Sequence, residues 1–194
     1  MKTAIIVVDM LKDNIKESNN PEALTQARSI IPSINRLTEM ARQRNFPVIF
    51  SNDSFLPGDF IFQGRMEEHA LRGTEGAQVV DELYQAEGDI YLPKRRFSAF
   101  FKTDLDQTLR LLGAGGVAIA GINSHWCVMS TALDALSHDF CACIISDCCA
   151  SFRADIHETT MNLYRKNLLY PLFQIITLKE FAKTMPTGQG ENRH

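Results

Sequence analysis

The chain has 194 residues, 45% of them hydrophobic and 22% charged, with a formal net charge of −3. These values fit a globular chain of one-domain size and exclude the basic footprint that nucleic acid or an anionic membrane surface would require. No apolar run approaches the ~20 residues that span a bilayer, and the opening run is too short for a secretory signal, so a cytoplasmic protein is expected.

In chain order, "TAIIVV" (Thr3–Val8) reads as a fully buried strand that runs straight into Asp9. Residues 21–45 place Ile30, Ile31, Ile34, Leu37 and Met40 at three-to-four spacing and read as helix, kinked or restarted at Pro32, which lacks an amide donor. "PVIFS" (Pro47–Ser51) is the second strand. Residues 52–76, with Pro57, Gly58, Gly64, Gly73 and several phenylalanines, read as a loop, and loops of that length in compact domains are usually functional. "VVDELY" (79–84) is expected as a short helix, and "DIYLP" (Asp89–Pro93) as the third strand, followed by Lys94. "TDLDQTLRLLG" (103–113) reads as a helix capped by Thr103 or Asp104 and stopped by Gly113. The fourth strand is "VAIAG" (117–121), the fifth "CACIIS" (141–146) and the sixth "FQIITL" (173–178), with helices expected over 126–138 and 155–167. Residues 184–194 carry no apolar periodicity and read as a flexible tail, which leaves 1–183 as a single domain.

Strands alternating with helices predict an α/β fold, with a mostly parallel sheet covered on both faces, of Rossmann-like topology. In such sheets ligands sit beyond the carboxyl ends of the strands, where the strand order reverses. Asp9, Lys94 and Cys127 stand at or just past three such ends. If they converge, they supply a carboxylate, an ammonium and a thiol, the groups a cysteine nucleophile needs. Taken singly, each has another reading: Asp9 as a turn residue, Lys94 within a solvated "KRRF" turn, Cys127 as core packing.

Five cysteines, with no secretion signal, argue against a disulfide framework. Cys141, Cys143, Cys148 and Cys149 lack a Cys-x-x-Cys pairing and read as small hydrophobes. Competing motifs fail. Leu133 stands where a tyrosine-phosphatase loop needs Arg, there is no Gly-x-Ser-x-Gly elbow, and "GAGG" (113–116) precedes a strand, where its amides would not cradle a pyrophosphate. His125 lies two residues from Cys127 on a tight turn, where side chains rarely face each other.

The pieces "IIVVDM", "EEHALRGTEG", "LPKRRFSAF", "GINSHWCVMSTALDA" and "ISDCCAS", in this order, resemble the isochorismatase-like cysteine hydrolases, which include nicotinamidases and N-carbamoylsarcosine amidases. The resemblance spans residues 2–183. It implies a six-stranded parallel sheet in a three-layer α/β/α sandwich and a catalytic triad of Asp9, Lys94 and Cys127. It further implies a cis peptide between Ile122 and Asn123, which aims the Asn123 amide, with that of Cys127, at an oxyanion. The implied reaction hydrolyses the C–N bond of a small amide or carbamoyl compound through a thioester. Lys94 and a helix start near Cys127 are expected to favour the thiolate. The other readings are a vinyl-ether hydrolase of the isochorismatase kind and a family member that binds a small ligand without turnover.

Nicotinamidases carry an Asp-x-His and a later His that hold a metal. Here Asp53 and His69 match, but the middle position is Phe55. Two such ligands seldom hold zinc firmly, so no cofactor is expected. The alternative is a direct hydrogen bond between Asp53 and His69 that braces the long loop. Phe55, Phe62, Phe97 and Phe100 are candidates for an apolar pocket wall, and Arg95 or Arg96 either meets a substrate carboxylate or is a solvated surface arginine. The expected partner is a small molecule, with no nucleic acid and no membrane, and the resemblance implies a homo-oligomer, dimer or tetramer.

Overall fold

The computed structural model describes residues 2–17 and 20–185. Beyond residue 185, the expected tail lies outside the described residues. Six strands form one sheet: β1 (Thr3–Val8), β2 (Val48–Asp53), β3 (Ile90–Lys94), β4 (Gly116–Gly121), β5 (Cys141–Cys149) and β6 (Phe173–Ile176). Their order is β3-β2-β1-β4-β5-β6, and every adjacent pair is parallel. Among the described residues, six α-helices accompany them: α1 (Pro21–Ser29), α2 (Ile31–Arg42), α3 (Leu105–Leu111), α4 (Met129–Ser137), α5 (Ala154–Arg165) and α6 (Leu178–Thr184).

Side chains alternate across a strand, and β1 shows what that does here. Ala4, Ile6 and Val8 pack into one core with Leu105 of α3, Ala132 of α4 and Met161 of α5. Ile5 and Val7 pack into the opposite core with Ile34 and Leu37 of α2 and Phe181 of α6. Both faces of the sheet are therefore covered, which is why its central strands read as unbroken apolar runs rather than alternating ones.

The order runs outward from β1 in both directions, so the sheet's switch point lies between β1 and β4. Val8 pairs with Ser51 on one side and Gly121 on the other. Gly121 has φ +112, and a Cβ there would stand 2.1 Å from the Val8 carbonyl oxygen. That position therefore requires glycine.

Several boundaries differ from the sequence expectation for definite reasons. The helical stretch 21–45 is two helices that meet at Ile30, with Pro32 in the first turn of α2, where a missing donor costs nothing. β2 runs two residues past Ser51 and so brings Asp53 to the strand end. "VVDELY" is not helical: Val79 bridges to Leu11, Val80 donates to the Met10 carbonyl, and the short helical turn lies earlier, at Glu75–Ala77. "FQIITL" leaves the sheet at Ile176, because Thr177 and Glu180 form a reciprocal capping box that starts α6.

Candidate active site

Four strand ends meet at the switch point. Asp9 follows β1 with φ +54, a left-handed conformation that Asp tolerates better than most residues, and this turns the chain away from the sheet. Its side chain stays beneath the turn. Oδ1 accepts the Asp53 backbone amide at 2.8 Å, and Oδ2 accepts Lys94 Nζ at 2.8 Å. Asn14 donates to the Asp9 carbonyl at 2.9 Å.

Lys94 ends β3 directly beside Asp53, and its side chain is 0% exposed. From this edge strand it reaches across β2 to the β1 end. Nζ lies 2.5 Å from Asp53 Oδ1 and 3.6 Å from Cys127 Sγ. A buried ammonium needs such partners, because stripping it of water without them would cost several kcal/mol.

Cys127 sits in a π-helical turn, Ser124–Val128, that joins β4 to α4. The peptide before the turn, Ile122–Asn123, is cis. The Trp126 and Val128 amides both return to the Asn123 carbonyl, which wraps the turn around the sulfur. Thr131 fixes the next turn by donating to the Cys127 carbonyl at 2.7 Å and accepting the Ala99 amide at 3.0 Å. Cys127 is 8% exposed, and its sulfur lies within 4.8 Å of an Asp9 carboxylate oxygen.

Burial, reinforced by the Asp9 charge and only partly offset by Lys94, raises the Cys127 pKa well above the usual thiol value. This corrects the expectation of a favoured thiolate. One ammonium already faces two carboxylates, and a third anion would leave the dry cluster doubly negative. The resting group is the thiol. Burial and the neighbouring Asp9 also push Asp53 up, to about 7, with Lys94 acting against them. Burial works against the charge of Lys94, but Asp9, Cys127 and Asp53 together raise its pKa further above that of an ordinary lysine.

The cluster opens on a cavity of about 210 Å³ whose walls include Phe55, Ile61, Met66, Arg96, Phe97 and Trp126. Phe97 and Trp126 stack at 5.0 Å between ring centroids. Of the expected aromatic wall, Phe55 and Phe97 face the cavity and two residues do not. Phe62 packs edge-on behind Phe55 and His69, at 5.0 and 5.8 Å. Phe100 belongs to the core beneath α3, stacked on His138 at 5.0 Å, because its register points away from the strand ends. Ile61, Met66 and Trp126 take those places. No periodic pattern marks Ile61 and Met66, which lie on the long connection, whereas Trp126 stands beside the cysteine.

Asp53 and His69 do not brace each other in the way expected. Asp53 is drawn into the ion pair with Lys94, while His69 Nδ1 lies 2.9 Å from the Glu67 carbonyl and the ring packs against Phe55. Among the described residues, the one group with metal-ligand spacing is Asp9, Asp53 and Cys127, whose donor atoms lie within 4.8 Å of one another. Lys94 Nζ already sits among these donors, so a divalent ion would have to share a dry site with an ammonium. The residues present do not fit a zinc centre. His125 is turned away from the sulfur: Nδ1 is 2.7 Å from Ser151 Oγ, and burial lowers its pKa.

The isochorismatase-domain model matches residues 3–176. A curated relative from Arabidopsis thaliana, described as a probable inactive nicotinamidase, is 34% identical over 86% of this chain and 89% of its own length. An isochorismatase-like hydrolase from Alkaliphilus metalliredigens superposes with a TM-score of 0.83 at 30% identity, covering 94% of this chain and 98% of its own. An N-carbamoylsarcosine amidase from Thermoplasma acidophilum gives a TM-score of 0.78 at 28% identity, covering 91% and 96%.

Proposed function

Because this chain belongs to the isochorismatase family of hydrolases, we propose that it is a cysteine amidohydrolase that cleaves the C–N bond of a small amide or carbamoyl compound. One observation carries the reading. A thiol and a carboxylate whose donor atoms lie within 4.8 Å of each other line one small cavity, and a buried ammonium contacts both, at 3.6 Å from the sulfur and 2.8 Å from the carboxylate.

The raised thiol pKa sets the order of events. The Cys127 proton passes to Asp9 as sulfur closes on the substrate carbonyl, so a free thiolate need not accumulate. The S–C bond forms, and the carbonyl π electrons move onto oxygen. The backbone amides of Asn123 and Cys127 are assigned as donors to that oxyanion, a contribution of about 10²–10³ in rate per donor. Collapse expels the amine, which takes the proton from Asp9 and leaves a thioester. Asp9 then removes a proton from water, the hydroxide displaces sulfur, and the acid and thiol are released. Lys94 stays charged throughout and holds Asp9 in place by the 2.8 Å contact.

No metal has a part in this scheme. Phe55 stands where a nicotinamidase ligand would be. The intact cysteine favours C–N cleavage over vinyl-ether hydrolysis and over binding without turnover.

A panel of primary amides and carbamoyl compounds, followed by ammonia release, tests the proposal. Cys127→Ala is expected to lose at least ~10³-fold in kcat/KM while keeping its fold. Denaturing mass spectrometry of the wild type, quenched during turnover, is expected to show the acyl group on Cys127. Turnover that survives in Cys127→Ala overturns the assignment.

A further inference from the structure

An oxyanion donor is only as good as its aim, and the backbone around Asn123 is held firmly. The Asn123 carbonyl accepts the Trp126 and Val128 amides at 3.0 and 3.3 Å. The next amide, that of Ser124, donates to the Ala150 carbonyl at 2.8 Å, and the Ala150 amide returns to the Gly121 carbonyl at 3.2 Å. The Asn123 N–H itself has no partner among the described residues, and Asn123 lines the cavity. A free donor on a fixed backbone is what a preorganised oxyanion site requires.

Ser124 carries a further restraint. It is 0% exposed, and among the described residues its hydroxyl has one partner, His157 Nδ1 on α5 at 3.1 Å. Burial, with Glu158 working against it and Arg165 with it, lowers the His157 pKa, so the ring is neutral near pH 7. Met161, one turn further along α5, shares a core with Val128 and Met129, so the helix and the nucleophile turn are packed together. One residue beyond Ser124, His125 Nδ1 meets Ser151 Oγ at 2.7 Å. Ala150, Ser151 and His157 thus grip two consecutive residues of the turn from the segment that follows β5. Of these contacts, the His157 bond is the one that ties the residue next to the Asn123 donor to a helix. His157 does not line the catalytic cavity, so any effect it has on the reaction passes through Ser124.

We propose that His157 is a positioning residue for the oxyanion site: by holding the Ser124 hydroxyl it fixes the residue after Asn123 and so the direction of the Asn123 amide. This rests on the reading of Cys127 as the nucleophile of an amidohydrolase. It gives α5, whose sequence shows only an amphipathic helix, a part in the chemistry on the other side of the turn.

Two reagents separate aim from access. Attack of Cys127 on para-nitrophenyl acetate forms an S–C bond, moves the carbonyl π electrons onto oxygen and then expels para-nitrophenolate, so it draws on the oxyanion donor. Iodoacetamide loses iodide from a saturated carbon, and no oxyanion develops. Acylation is read as the nitrophenolate burst that Cys127→Ala lacks, and alkylation as the mass of the Cys127 peptide. The quantity to compare is the ratio of the two rates within each protein, which cancels changes in folded fraction and in access to the thiol.

His157→Ala is expected to lower the ratio about tenfold or more, short of the ~10²–10³ that a whole oxyanion donor contributes. His157→Asn, whose side-chain amide reaches the position of Nδ1, is expected to restore most of it. Ser124→Ala removes the same bond from its smaller side and is expected to match His157→Ala, with no further loss in the double variant. If His157→Ala does not fold, Ser124→Ala and His157→Asn decide the matter. A wild-type ratio in Ser124→Ala or His157→Ala, or losses that add in the double variant, overturns the inference and leaves the nucleophile reading standing. A wild type without a Cys127-dependent burst overturns the nucleophile reading, and this inference with it.

Discussion

The strand ends and the β2–β3 connection build one cavity by different means. At the strand ends the ladder sets position. Asp53 and Lys94 are register partners, and Asp9 and Cys127 follow the neighbouring strands β1 and β4 on either side of the switch point. Each reactive atom is held by a buried hydrogen bond, and a shift of any strand would break several at once. The connection, residues 54–89, has no ladder. It is pinned at separate points: Phe55 and Leu71 form an isolated bridge, the Ala70 amide donates to Asp13, and Asp59 gathers Arg95 and Arg96. Chemistry is therefore fixed where the fold is rigid, and the walls that choose a substrate stand where residues can be exchanged at small cost.

If that contrast is right, substitutions at the strand ends fail by destabilisation as well as by lost chemistry. Lys94→Met is the severest case. It leaves Asp9 and Asp53 buried without a counter-charge, and breaking such a buried pair costs about 3–5 kcal/mol. A loss of that size in denaturant unfolding, together with loss of turnover, is the expected outcome. A variant that melts like the wild type would show that the cluster is not the dry, coupled unit its distances describe.

The next effect is on pH dependence. Asp53 has its pKa raised in the folded chain to about 7, by burial and by Asp9. Between its unfolded value near 4 and about 7, the folded state binds the extra proton. The Asp53 contribution to stability is therefore present at low pH and is lost as pH rises through that window. Asp53→Asn is expected to remove this decline, read as unfolding free energy against pH. A variant that keeps the slope would place the titration elsewhere.

The thiol gives a smaller and opposite signal. A raised pKa and near-complete burial predict that iodoacetamide modifies Cys127 more slowly at neutral pH than it modifies an unperturbed thiol. The sequence led to the reverse expectation, since a helix start and a nearby lysine are both features that favour thiolate. What it could not reveal was how deeply the sulfur is buried beside Asp9, with Asp53 adding to the effect in the same cluster. The apolar run "PVIFS" hides the two further residues by which β2 carries Asp53 to Lys94.

That example shows what was legible and what was not. Apolar runs identified every strand, because a doubly covered parallel sheet must be apolar on both faces, and the residues just past three of them identified Asp9, Lys94 and Cys127. The capping box at Thr177 is also present in "TLKE", but the apolar run continues into it and so reads as strand. The walls resisted for a physical reason. On an irregular connection no period relates residue number to direction, so Phe100 and Phe62 were as plausible as Ile61 and Met66, and only the fold distinguishes them. Arg96 stands out in "KRRF", but the buried Asp59 that it contacts lies 37 positions away in sequence.

The smallest expected effect tests the wall side of the contrast most directly. Trp126 is half exposed at 50%, contributes one face of the Phe97 stack and borders the cavity. Removing it costs little buried area, and exposed aromatic contacts are worth about 0.5–1.5 kcal/mol beyond that area. Trp126→Ala should therefore leave the melting transition within a few degrees of the wild type. It should raise KM several-fold, because the ring is part of the cavity wall, with a much smaller change in kcat, because Cys127 keeps its own supports in Thr131 and the Asn123 carbonyl. A collapse of kcat with KM unchanged would mean that the π-helical turn depends on the indole to hold the sulfur. In that case wall and catalytic floor would be one structure rather than two.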